Sequence, residues 1–104
     1  MLKIENKGDS HYFFVVQSAQ GNPLFESEPF ENQEAVREAI TAIKPRIKHP
    51  GSFERLTDHE GHFRFALKDP QGKTLGRSKP YGSEAGMENG IRNTQAGILD
   101  SSLG

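Results

Sequence analysis

The densest grouping of chemically capable side chains is Asp58-His59-Glu60-Gly61-His62, with two imidazoles and two carboxylates in five residues. Such groups can ligate a divalent cation, but the metalloprotease arrangement needs histidines four apart on a helix so that both face one ion. Here Gly61 and the alternating segment after it put the group at a hairpin, with His59 on the turn surface and His62 at a strand start. No metal ligand is assigned. Gln71-Gly72-Lys73-Thr74 ends like a phosphate-binding loop. The leading glycine of that motif would fall at Leu67, however, and the segment runs into a strand, so the backbone cradle and its helix are missing. No Gly-x-Ser-x-Gly elbow occurs. Ser27 and Ser78 stand at matching strand ends, where a structural hydrogen bond accounts for them. No catalytic residue and no cofactor are assigned, and the chain is read as non-enzymatic.

The elements that would position these groups belong to a chain of 104 residues, a length suited to one domain with one core. Thirteen Lys and Arg against fourteen Asp and Glu leave a formal charge of −1, so any binding of nucleic acid or acidic membrane must come from a local patch. The absence of cysteine excludes disulfides, thiolate metal sites and thiol catalysis. No stretch approaches the roughly twenty apolar residues that span a bilayer, and residues 1–6 lack a signal-peptide core. A soluble, cytoplasmic protein is the expectation.

The organising feature is an internal repeat. A shift of 51 positions brings His11, Phe14, Gln20, Gly21, Leu24, Ser27, Pro29 and Ile40 onto identical residues at 62, 65, 71, 72, 75, 78, 80 and 91. Similar residues fill the gaps, among them Phe30 with Tyr81 and Ala39 with Gly90. Phe63, Phe65 and Leu67 alternate with Arg64, Ala66 and Lys68, the period of a strand with one buried face. Asp69-Pro70-Gln71-Gly72 then has the residue order of a tight turn, matched by Ser18-Ala19-Gln20-Gly21. Second strands follow over about 22–27 and 73–78, with Pro23 at an edge or a strand start.

After Pro29-Phe30 and Pro80-Tyr81 the period becomes helical. Asn32 and Ser83 are the expected N-caps, Glu34 and Glu84 favour the positive helix end, and Pro45 stops the first helix at Lys44. In the second helix Gly82, Gly86 and Gly90 recur every four residues, and close approach to the sheet is the expected compensation for their low helix propensity. Leu2-Lys3-Ile4 and Phe53-Glu54-Arg55 are candidate leading strands. The predicted fold is α+β: two tandem βββα units forming one antiparallel sheet, with two helices packed on one face and pseudo-twofold symmetry. The domain division is 1–48 for the first repeat, 52–97 for the second and 98–104 for a C-terminal tail.

Phe63-Arg64-Phe65, Gln71-Gly72-Lys73, Ser78-Lys79-Pro80-Tyr81 and Asn89-Gly90-Ile91 together resemble the YegP-like family, small bacterial and archaeal proteins of unknown function. The likeness covers nearly the whole chain. The first copy departs from it, with Glu38-Ala39-Ile40 and Phe30 at the corresponding places. The resemblance implies two such units joined in one sheet, here a monomeric pseudo-dimer, and supplies no catalytic residues.

Two asymmetries between the copies bear on binding. Where the second copy has Arg64 and Ala66 on the outer strand face, the first has Phe13 and Val15, so that strand is apolar on both sides. Either the C-terminal segment with Ile98, Leu99 and Leu103 covers it, or it is a contact patch for a protein partner or a second copy. Residues 1–44 carry a net charge of −3 and residues 45–104 a net charge of +2. Glu26 and Glu28 fall opposite Arg77 and Lys79, which leads to an expectation of charge pairing across adjacent strands. The alternative uses Arg64, Lys68, Lys73, Arg77 and Lys79 as an anion patch for weak, salt-sensitive nucleic-acid binding. The functional expectation is a binding module that offers its sheet surface to a protein partner, with nucleic-acid binding as the alternative.

Overall fold

The computed structural model describes residues 1–101, so Leu103 lies outside the described residues. The elements are β1 (Leu2–Asn6), β2 (Tyr12–Gln17), β3 (Pro23–Ser27), α1 (Gln33–Ile43), β4 (Phe53–Thr57), β5 (Phe63–Lys68), β6 (Thr74–Ser78) and α2 (Glu84–Leu99). Short 3-10 turns at Lys44–Arg46 and Pro50–Ser52 join the halves. All six strands form one antiparallel sheet in the order β1-β2-β3-β6-β5-β4. Among the described residues no helix is long and apolar enough to cross a membrane.

The strand pairs recur at the spacing of the sequence repeat. Leu2↔Val16 is followed 51 positions later by Phe53↔Leu67, and Val15↔Glu26 by Ala66↔Arg77. At the centre Phe25↔Ser78 and Ser27↔Gly76 exchange under the same shift, while Glu26↔Arg77 maps onto itself. Each hairpin turns on a glycine with positive φ, Gly21 at 85° and Gly72 at 86°, which a side chain would strain. Next to each turn one residue is left over, Leu24 between the pairs Val16↔Phe25 and Gln17↔Pro23, and Leu75 likewise. Such a bulge breaks the strict alternation, and Leu24 joins its neighbour Phe25 in the core.

The core lies between one sheet face and the two helices. Phe14, Val16, Phe25, Phe65 and Leu67 from the strands meet Val36, Ile40 and Ile43 of α1 and Met87, Ile91 and Ile98 of α2. Phe25 stacks on Phe65 at a centroid distance of 6.2 Å. Duplication would place a second phenylalanine beside it, but that position is Gly76, where an added Cβ would lie 2.6 Å from the Phe25 ring and 2.5 Å from the Glu26 carbonyl. Asn32 and Ser83 cap their helices by accepting from the Ala35 and Gly86 amides.

Three expectations need correction. α2 runs to Leu99, so the boundary between residues 97 and 98 falls inside a helix and Ile98 is a core residue. The compensation at Gly90 is not the sheet: a Cβ there would meet the Tyr81 ring, with Cζ at 2.6 Å. The helix approaches a strand closely at Gly97, a position without a sequence signal, where a Cβ would lie 2.7 Å from Val16 Cγ1. Gly82 precedes the helix and faces open space.

Candidate functional site

The alternation of β2 sends Phe14 and Val16 to the helices and turns Phe13 and Val15 to the opposite face, which carries no helix. Yet Phe13 is only 5% and Val15 only 7% exposed. Ile98 lies in the core on the other side of the sheet and Leu99 is 41% exposed, so the described part of the C-terminal segment does not cover the strip. Part of the cover comes from the sheet's own long side chains: the Lys7 ammonium sits 4.9 Å from the Phe13 ring centroid and 3.7 Å from a Glu26 carboxylate oxygen. Charged heads stay in water while their stems screen apolar surface. On the second copy the corresponding Ala66 is also buried.

Four of the five basic residues expected to form an anion patch have local partners. Arg64 lies 3.8 Å from Asp58, Lys68 lies 3.4 Å from Glu54 and bonds the Thr74 hydroxyl, and Arg77 bonds Glu28 at 2.9 Å. Lys79 has its ammonium 5.9 Å from the Tyr81 ring centroid. Lys73, at the β5–β6 turn, has no ion pair among the described residues. Arg77 faces Glu26 in register but pairs with Glu28, and Glu26 turns to Lys7.

The Asp58 hairpin is more convergent than its sequence suggested. Donor atoms of Asp58, Glu60 and His62 lie within 4.8 Å of one another, whereas His59 is not part of the group. One Asp58 oxygen accepts from the Glu60 and His62 amides, both at 2.9 Å. These backbone bonds, that from His62 foremost, hold the carboxyl below the usual carboxylate range. The Arg64 guanidinium already supplies a cation beside the other oxygen. On the helix side of the sheet Arg55 of β4 makes a two-pronged bond to Glu88 of α2, which raises the Arg55 pKa and lowers that of Glu88.

Ser27 and Ser78 are buried and identically engaged. Their hydroxyls accept from the Phe14 and Phe65 amides at 2.9 and 3.0 Å and donate to the Glu28 and Lys79 carbonyls. They close the sheet where strand pairing ends, which leaves neither hydroxyl poised as a nucleophile.

One concavity carried no sequence signal. A cleft of about 290 Å³ opens between α1 and the β5–β6 turn, with Pro29, Phe30, Ala39 and Leu75 among its walls and Asp69 and Lys73 at the two ends of the turn.

Comparison with known proteins bears on this arrangement. The family described as "Domain of unknown function (DUF1508)" matches residues 58–96, the second copy from the Asp58 hairpin into α2. UPF0339 protein PA0329 of Pseudomonas aeruginosa is 27% identical over 99 residues, 90% of each chain. UPF0339 protein YegP of Escherichia coli K12 is 22% identical over 95 residues, 91% of this chain and 86% of that one. The chain is similar to the YegP-like proteins along most of its length. Two solution NMR structures share its fold. UPF0339 protein SO3888 of Shewanella oneidensis has a TM-score of 0.87 at 17% identity, covering 96% of this chain and 85% of that one. The E. coli protein yegP has a TM-score of 0.85 at 21% identity, covering 96% and 86%. The likeness extends to the six-stranded sheet with two helices and assigns no reaction to the side chains above.

Proposed function

We propose that this chain is a non-enzymatic binding module that presents the helix-free face of its sheet to a protein partner. The supporting observation is one-sidedness: both helices pack against the Phe14–Phe65 face, and on the other face Phe13, Val15 and Ala66 form an apolar strip partly screened by charged side chains. Lifting Lys7 and Glu26 off Phe13 breaks an exposed pair worth under about 1 kcal/mol. A partner's apolar side chain in their place would gain roughly 25 cal/mol for each Å² it removes from water. The chain is proposed to act as a monomer in the cytoplasm, a compartment that suits the absence of cysteine.

Nucleic-acid binding through Arg64, Lys68, Lys73, Arg77 and Lys79 is the competing reading. It is disfavoured by the carboxylates already beside Arg64, Lys68 and Arg77, because a phosphate would have to displace them. The test recovers partners from native-cell extract on immobilised wild-type protein and on three variants, with circular dichroism confirming the fold. Phe13→Arg and the surface variant Lys7→Glu alter the sheet face; Glu38→Lys on α1 is the control. Proteins lost from both sheet-face variants and retained by the control support the proposal. Identical recovery on all four, or a gel shift of single-stranded nucleic acid that fades with salt, overturns it.

A further inference from the structure

The cleft between α1 and the β5–β6 turn lies at the junction of the two copies, a usual place for a small-molecule site. Its volume of about 290 Å³ falls just below the range of roughly 300–1,000 Å³ for drug-sized ligands and suits a smaller molecule. Its apolar walls include the half-buried Phe30 ring, Ala39 and the buried Leu75. Beside them the turn offers two unlike charges. One Asp69 oxygen accepts from the Gln71 and Lys73 amides at 2.9 and 2.8 Å. Its other oxygen and the Lys73 ammonium take no hydrogen bond or ion pair among the described residues, not even with each other. The remaining carboxylate of the cleft, Glu28, is engaged by Arg77.

The other copy serves as an internal control. At the corresponding turn Ser18 and Asn22 replace Asp69 and Lys73, and the Ser18 hydroxyl takes the Asn22 amide much as Asp69 takes that of Lys73. Neutral residues therefore suffice to build such a turn, although Ser18 takes one amide where Asp69 takes two, and neither the second Asp69 oxygen nor the Lys73 ammonium is used in it. The Tyr81 ring lies against Gly90 there, and its hydroxyl reaches the Leu24 carbonyl at 3.5 Å. Phe30 and Ala39 take those places at the cleft, and Phe30 has no hydroxyl to reach across it.

The geometry points to a binding site for a free apolar α-amino acid, its side chain against Phe30, Ala39 and Leu75, its carboxylate on Lys73 and its ammonium on Asp69. The probe is L-leucine, titrated into the isotope-labelled full chain and followed by amide chemical shifts. Saturable millimolar shifts confined to residues around 29–42 and 69–75 are expected. N-acetyl-leucine, which lacks the ammonium, leucinamide, which lacks the carboxylate, and glycine, which lacks the side chain, should each bind about tenfold more weakly or worse, a loss of about 1.4 kcal/mol. The double variant Asp69→Ser/Lys73→Asn borrows the residues of the other turn and should keep the spectrum of the folded protein while losing the leucine response. Absence of shifts, shifts outside the cleft, equal binding of the blocked derivatives, or an undiminished response in the double variant overturns the assignment.

Discussion

Thr94 of α2 is fully buried, and its hydroxyl has no hydrogen-bond partner among the described residues. In the repeat register it corresponds to Ile43 of α1, a fully buried apolar residue. Leaving a buried hydroxyl unmade costs about 1–3 kcal/mol, and Thr94→Val removes that group while adding a methyl worth about 0.8 kcal/mol on burial. Helix propensity does not separate the two residues, which rank together in helices. The substitution should therefore stabilise the protein by about 2–4 kcal/mol, or raise Tm by roughly 10–30 °C for a domain of this size. Thr94→Ser keeps the hydroxyl, loses the methyl and should destabilise by about 1 kcal/mol. Urea unfolding followed by circular dichroism measures both, and an unchanged m-value assigns the effect to stability rather than to the compactness of either state. A Thr94→Val variant that is equal to or weaker than wild type would refute the reasoning, since the hydroxyl would then have to be served.

Gly76→Ala should destabilise by about 2 kcal/mol or more, because its Cβ would collide with the Glu26 carbonyl and Ser27 Cα as well as the Phe25 ring; Phe25→Ala in the same chain should not restore stability, and full rescue in denaturant titration would show that the backbone contacts do not matter. Ser27→Ala and Ser78→Ala should each cost about 1–3 kcal/mol by stranding a strand amide, with similar values from thermal unfolding. Gly90→Ala should be strongly destabilising alone, because its Cβ would meet the Tyr81 ring as well as the hydroxyl, and Tyr81→Phe should recover only part of the loss since Cζ, at 2.6 Å, remains; full rescue in a double-mutant cycle would contradict this. Asp58 and Glu88 are held below their ordinary range in the folded chain. Their contribution is thus complete above the unfolded carboxylate value, about pH 4, and is lost as pH falls through the lower folded one. Asp58→Asn should flatten the acid limb of the stability–pH curve, and an unchanged slope would count against the turn bonds.

Strand alternation, the two glycine turns, the caps at Asn32 and Ser83 and the break at Pro45 were legible because each depends on residues within a few positions. Length-51 periodicity carried the pairing of β3 with β6, with Glu26 facing Arg77. The candidate binding residues were less legible. Arg64, Lys68 and Arg77 look alike in sequence, but three different carboxylates meet them, and Phe13 looks exposed until Lys7 lies over its ring.

Local order in this chain thus follows from neighbour spacing: side-chain period, turn stereochemistry and unsatisfied helix amides act over one or two turns of backbone. Decisions between residues beyond that reach belong to the folded state. That Gly76 makes room for Phe25, that Tyr81 rather than the sheet fills the space at Gly90, and that Asp69 and Lys73 border a cleft of α1 are facts of tertiary packing. Close-packed interiors are filled by whichever side chains the third dimension brings together, and no local pattern names those neighbours in advance.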